Sequence, residues 1–143
     1  MKRALAAFTL PLLAGAALAQ SSPVGLWRNI DDHTGKAKAE IRIEERAGVL
    51  VGRVEKTLVT SESPTCDLCT DDRKGKPILG LEIIRGVHQA KDDANVWEGG
   101  KILDPENGKE YRTRLTPIDG GKKLQVRGYL GPFFRTQIWN RVP

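Results

Sequence analysis

The chain has 143 residues, a formal net charge of +5 at pH 7, 29% charged residues and only 6% aromatic ones. A chain of this length is one domain, and it buries roughly 65% of the surface its unfolded form exposes, enough for a single core without staples. So mild a positive charge weighs against nucleic acid as a partner and favours an anionic envelope surface or ligand, while the basic residues, spread along the chain with no run of five or six, read mostly as a solvated strand face.

The first nineteen residues stand apart. Lys2 and Arg3 precede an apolar run from Ala4 to Leu18, broken by Thr9 and Pro11, which ends in Ala17-Leu18-Ala19. A basic start, an apolar stretch too short for a stop-transfer helix and an A-x-A site read as a cleaved export signal. Residues 20–143 are then the expected domain, periplasmic or secreted, carrying +3 once Lys2 and Arg3 leave and holding no transmembrane segment. An uncleaved anchor is the competing reading. No Cys follows the cleavage site, so a lipid-anchored start is not supported.

Short alternating runs follow. Val24 to Ile30 is a first strand, ended by the turn Asp31-Asp32-His33-Thr34-Gly35. From Ala39 to Glu45, Ile41 and Ile43 alternate with Glu40, Arg42 and Glu44, the pattern of a half-buried strand. Ala47-Gly48 turns it into a long strand from Val49 to Val59, with Gly52 a candidate bulge. Thr60 to Gly80 is the one long irregular stretch and holds both cysteines. Leu81 to Val87 and Val96 to Leu103 are the fourth and fifth strands. Asp104-Pro105-Glu106-Asn107-Gly108 and Asp119-Gly120-Gly121 then bracket a sixth strand carrying Tyr111, Thr113 and Leu115. The seventh carries Leu124, Val126 and Gly128, and the eighth runs from Phe134 to Val142 after Gly131-Pro132. Outside the export signal no segment holds an apolar 3.6-residue period.

Eight sequential strands joined by short turns predict an all-β fold, a single antiparallel up-and-down barrel, because closure removes the edges that an open meander exposes. At this strand number the interior either fills with side chains or holds one small ligand. A two-sheet sandwich is the competing architecture.

Gly25-x-Trp27 on the first strand and Arg141 at the end of the last resemble the signature of lipocalin and calycin barrels, in which a Trp at the closed end is covered by a cation. That resemblance implies barrel closure by Gly25, Trp27, Trp139 and Arg141. A longer set of motifs is similar to the exported bacterial family called domain of unknown function 2147. These are Gly25-Leu26-Trp27, Cys66-x-x-Cys69 followed by Lys76-Pro77-Ile78, the run Trp97 to Pro105, Gly108-Lys109-x-Tyr111, the run Lys123 to Gly131, and Thr136-x-x-Trp139. The family resemblance implies an export signal and a lipocalin-like barrel, and supplies no catalytic residue.

Cys66 and Cys69 are the sharpest local motif. In an exported chain two cysteines this close are expected to be oxidised. A loop-pinning disulfide worth about 2 kcal/mol for so small a ring is favoured over a dithiol redox centre. The latter needs a thiol activated at a helix start or beside a cation, whereas Asp67 would raise a neighbouring thiol's pKa. His33 and His88 lie in separate segments without zinc-site spacing, so no metal is expected. The acidic pairs Asp31/Asp32, Asp71/Asp72 and Asp92/Asp93 read as turn formers. No nucleophile elbow, phosphate loop or zincin helix is present, and neither enzymatic activity nor a cofactor is expected.

Arg127 and Tyr129 share one phase of the seventh strand, and Arg135, Gln137, Trp139 and Arg141 share one phase of the eighth. If these cationic and aromatic phases face the lumen, a guanidinium beside a phenol hydroxyl can clamp a ligand carboxylate, an arrangement similar to the Arg-x-Tyr clamp of fatty-acid-binding barrels. Trp97 and Tyr111 join Arg127, Tyr129, Arg135 and Gln137 as candidate ligand-binding residues. The opposing reading puts this phase in solvent, with Trp139 and Arg141 closing the base; a register error of one residue inverts the assignment. The leading functional expectation is a non-enzymatic binding module for a fatty acid or lipid-like molecule. An envelope interaction module with a filled core, and a thiol-disulfide protein acting through Cys66 and Cys69, are the alternatives.

Overall fold

A computed structural model describes residues 21–60 and 62–143; the export signal expected at residues 1–19 lies outside them. The eight strands are β1 (Gly25–Ile30), β2 (Ala37–Arg46), β3 (Val49–Thr57), β4 (Glu82–Gln89), β5 (Trp97–Asp104), β6 (Lys109–Ile118), β7 (Lys123–Leu130) and β8 (Phe133–Arg141). Each pairs antiparallel with the next, and β1 returns to β8 through Trp27 opposite Arg141 and Arg28 opposite Asn140. The result is the closed up-and-down barrel expected from the alternating runs, and not a sandwich.

The turns explain the registers. Ala47 and Gly48 both have positive φ, 51° and 79°, the primed hairpin geometry that matches strand twist. Gly52 marks an irregularity in the β3–β4 register, and a Cβ there would stand 2.9 Å from Ile84. Asp119-Gly120-Gly121 forms a single 3-10 turn between β6 and β7.

The barrel has two unlike ends. The β2–β3, β4–β5 and β6–β7 turns lie at one end with the N- and C-terminal segments. Here Trp27, Leu50, Val87, Leu115, Leu124 and Trp139 are all fully buried, so this half is a filled core. Arg141 seals it from below, donating from Nε to Gly121 O at 2.7 Å, from Nη1 to Val24 O and from Nη2 to Ser22 O, both at 2.9 Å. The four other connections gather at the opposite end.

The long β3–β4 connection is bolted to the barrel wall. Cys66 and Cys69 form the expected disulfide, and both are buried, at 0% and 1% exposure. Cys66 N donates to Lys76 O and Gly75 N donates to Cys66 O, folding the segment back on itself. Arg73, 1% exposed, reaches Glu82 O on β4 at 2.8 Å, pairs with Glu110 on β6 at 3.0 Å and grips the Asp71 carboxylate. Arg85 on β4 holds Asp72 at 2.9 Å. The β5–β6 turn meets the loop so closely that a Cβ on Gly108 would lie 1.9 Å from Leu68 O. The acidic pair at residues 71 and 72 therefore anchors the loop to the wall, a larger role than turn formation.

Candidate functional site

Above the filled half the barrel is hollow. A cavity of about 480 Å³ opens between the β1–β2, β3–β4, β5–β6 and β7–β8 connections, within the range of small-molecule sites. Its wall is apolar where Ile41, Val54, Ile83, Ile102 and Val126 face inward, and Ile78 contributes from the β3–β4 connection. Gly128 lends space: a Cβ there would meet Tyr111 Cβ at 3.4 Å and Ile102 Cγ2 at 4.0 Å.

The floor is polar and ordered. Trp139 Nε1 donates to Gln137 Oε1 at 2.9 Å, and Asn29 Nδ2 donates to the same oxygen at 3.4 Å. That fixes the Gln137 amide so that its Nε2 points to the mouth, where it donates to Asp32 Oδ1 at 3.1 Å. Arg135, one inward position nearer the rim, also grips Asp32, with Nε to Oδ2 at 2.7 Å. The Arg135 guanidinium beside Asp32 pulls its carboxyl down to about 2, so it is an anion at any ordinary pH. Lys38 completes the mouth, pairing with Asp31 at 3.7 Å and with Glu106. The chain thus places its own carboxylate against a fixed amide and a guanidinium, the donor arrangement a ligand carboxylate would use.

Of the expected ligand-binding residues, Arg135, Gln137 and Tyr111 line this cavity. Tyr111 presents a hydroxyl that accepts from Asn107 Nδ2 at 3.1 Å. Arg127 and Tyr129 do not line it. Val126 and Gly128 take the inward phase of β7, so Arg127 and Tyr129 stand on the outer face. There Arg127 Nε donates to Thr136 Oγ1 at 2.9 Å and its guanidinium lies 4.6 Å from the Phe134 ring centroid, while Arg112 sits 5.8 Å from that of Tyr129. The Arg-x-Tyr clamp is corrected accordingly: the cationic phases of β7 and β8 lie on opposite sides of the wall. Trp97 is packed into the filled end at 7% exposure, with its Nε1 lacking a partner among the described residues.

Asp32 is the residue the sequence reading missed. Asp31 does form the expected turn, accepting from Thr34 N at 2.8 Å and His33 N at 3.0 Å, and Asp93 likewise accepts from Asn95 N. Asp32 instead leaves its turn to reach β8, 103 positions along the chain. At the closed end Trp27 pairs with Arg141, whose guanidinium covers the Trp27 ring and stands beside Gly25, while Trp139 is fully buried two residues earlier on β8 with its Nε1 at the cavity floor.

A family model described as an uncharacterised protein conserved in bacteria, DUF2147, matches residues 25–141. No curated protein matches the sequence. Among solved structures the chain resembles a protein from the human pathogen Helicobacter pylori described as belonging to the lipocalin family. The TM-score is 0.71 at 16% identity, over 84% of this chain and 82% of that one. The likeness is one of fold.

Proposed function

The chain belongs to the DUF2147 family of uncharacterised bacterial proteins, and we propose that it is an exported, non-enzymatic carrier of a small amphipathic molecule such as a fatty acid. The apolar tail lies between Ile41, Val54, Ile83, Ile102 and Val126, and an anionic head sits at the mouth against Arg135 and Gln137 in place of Asp32. The observation that carries this reading is the cavity itself. Protein interiors close-pack, and here the upper half of the barrel holds about 480 Å³ of space lined by apolar side chains. Burying ten methylenes there yields roughly 8 kcal/mol gross, before the losses of association are subtracted.

The start of the chain supports export: Lys2, Arg3, the apolar run and Ala17-Leu18-Ala19 read as a cleavable signal. The same cavity weighs against a filled interaction module. Burial of both sulfurs of the Cys66–Cys69 bridge weighs against thiol exchange, which needs an accessible sulfur.

The test is native mass spectrometry of the protein recovered from the cell envelope, followed by titration of the stripped protein with fatty acids of graded length. A mass excess lost on denaturation, with affinity that rises with chain length and falls at least about tenfold in Gly128→Leu, is the expected result. A bare mass together with no affinity for any amphiphile overturns the proposal.

A further inference from the structure

We propose that the open rim and the adjoining outer face of β5 to β8 form a docking surface for an anionic phospholipid bilayer. The β7–β8 hairpin tip carries Leu130, Phe133 and Phe134 at 58%, 75% and 61% exposure, side by side at the cavity mouth. Isolated exposed apolar residues need no explanation, but a contiguous patch beside a cavity opening marks an interaction site. Directly behind the tip, Lys101, Arg112, Tyr129 and Phe134 are successive cross-strand partners, forming one row over four strands. Arg127 adds a third cation by lying over the Phe134 ring.

The two cations that line the mouth itself differ from these. Lys38 and Arg135 are each ion-paired, neutralising Asp31, Asp32 and Glu106. Arg114, beside them on β6, is held by Glu98 at 3.1 Å. Lys101, Arg112 and Arg127 have no carboxylate partner among the described residues; Arg112 and Arg127 are held over aromatic rings instead. Along β7 the outer surface therefore runs from Arg127 through the Tyr129 ring to the bare Leu130 side chain at the rim, with Arg112 and Lys101 flanking the rings in their row. That sequence follows the polarity of a bilayer entered from water, with anionic head groups first, the aromatic-rich interface next and hydrocarbon last.

A second copy of the chain fits this face poorly. A two-fold contact through the hairpin tip would set the cationic row of one copy beside that of the other, and like charges in contact are destabilising. A bilayer supplies the opposite charge and places its own amphiphiles at the mouth of the cavity. Docking of this kind concerns the outer wall and the rim, so it stands whether or not the lumen holds a ligand.

The test is cosedimentation of the purified protein with phosphatidylcholine vesicles, and with vesicles in which about a third of the lipid is phosphatidylglycerol. Binding to the anionic vesicles should be stronger by up to roughly a hundredfold for three basic side chains, and should weaken as salt rises. The combined variant Lys101→Gln, Arg112→Gln, Arg127→Gln should lose that preference. Phe133→Ser should lower binding to both vesicle types, while Lys122→Gln at the closed end should leave both unchanged. Lys101, Arg112, Lys122 and Phe133 are exposed and Arg127 is half-buried, and retained thermal unfolding shows each variant folded. Equal binding to both vesicle types, or a triple variant that keeps the preference, overturns the proposal. So does self-association in sedimentation velocity that Phe133→Ser abolishes without changing vesicle binding.

Discussion

The guanidinium carbon of Arg141 lies 4.1 Å from the centroid of the Trp27 ring, joining the last strand to the first where the barrel closes. Trp27 is fully buried, and its Nε1 donates to Pro23 O at 2.7 Å. The same guanidinium satisfies three carbonyls from the N-terminal segment and the β6–β7 turn. Burial lowers the Arg141 pKa, since desolvation disfavours the charged form; the carbonyls and the indole face are what hold the cation there.

Removing that cation should open the base. Arg141→Ala is expected to lower stability by about 2–3 kcal/mol, because the stacking and the charge-assisted hydrogen bonds are lost together. Arg141→Lys should recover only part of this, since an ammonium cannot reach three carbonyls in a planar fork. Chemical denaturation of both variants measures it, and full recovery in Arg141→Lys would refute the geometric argument. Gly25 belongs to the same arrangement: its φ is 141° and a Cβ would lie 2.4 Å from Arg141 Nη1. Gly25→Ala should therefore cost stability by displacing the guanidinium.

How much of this was legible follows from chain distance. Every strand could be read in sequence, because alternation and turn residues are local signals, whereas the closed-end tryptophan and its cation were implied only by the resemblance to lipocalin-like barrels. The lumen-facing phase of β7 was not assigned, although the sequence held the means. Gly131-Pro132 is a two-residue connection, so Leu130 opposes Phe133 and Gly128 opposes Arg135. Opposed residues share a face. Arg127 thus shares a face with Thr136, and the cationic phases of the two strands must part. Asp32 is another matter: it reaches Arg135 only because β1 and β8 become neighbours on closure, and no local pattern announces that contact.

The β3–β4 loop should be a fixed strap. Cys66→Ala combined with Cys69→Ala is expected to lower stability by about 2 kcal/mol for so short a ring, and neither thiol should form rapidly under mild reductant without denaturant, because both sulfurs are buried. Gly108→Ala should do comparable damage by a different route, roughly 2–3 kcal/mol or more, because it collides with Leu68 O at a position whose φ is 72°. Hydrogen exchange at Cys66 N and Gly75 N, both hydrogen-bonded within the loop, would report loosening. Protection unchanged in Gly108→Ala would show that the turn does not hold the loop.

Ala47 is a place where the chain is less stable than it need be. It sits exposed at φ 51° in the β2–β3 turn, a conformation L-residues other than Asn and Asp rarely adopt. Ala47→Asn should raise stability by about 0.5–1 kcal/mol, as primed hairpin turns favour Asn-Gly. A denaturation midpoint equal to or below that of the parent chain would count against this.

Asp32 and Arg135 give the mouth a pH dependence of defined sign. Hydrogen bonding from Arg135 lowers the Asp32 carboxyl from the usual aspartate range to about 2 in the folded chain. A depressed carboxyl contributes stability that is present above the unfolded value and lost as pH falls through the folded one. Arg135 has 47% of its side chain exposed, so solvent screening limits the pair to about 1 kcal/mol at pH 6. The difference in thermal stability between the parent chain and Asp32→Asn should be present at pH 6 and shrink between about pH 4 and pH 2. Lowered carboxyls on the β3–β4 connection, Asp67 and Asp71, titrate in both proteins and largely cancel in the difference. If the proposed carrier binds an anionic head group at Arg135, the same substitution removes an internal competitor, so Asp32→Asn should bind fatty acid more tightly while Arg135→Gln binds it less. A difference in stability that stays constant down to pH 2 would mean that Asp32 does not enter the mouth as an anion.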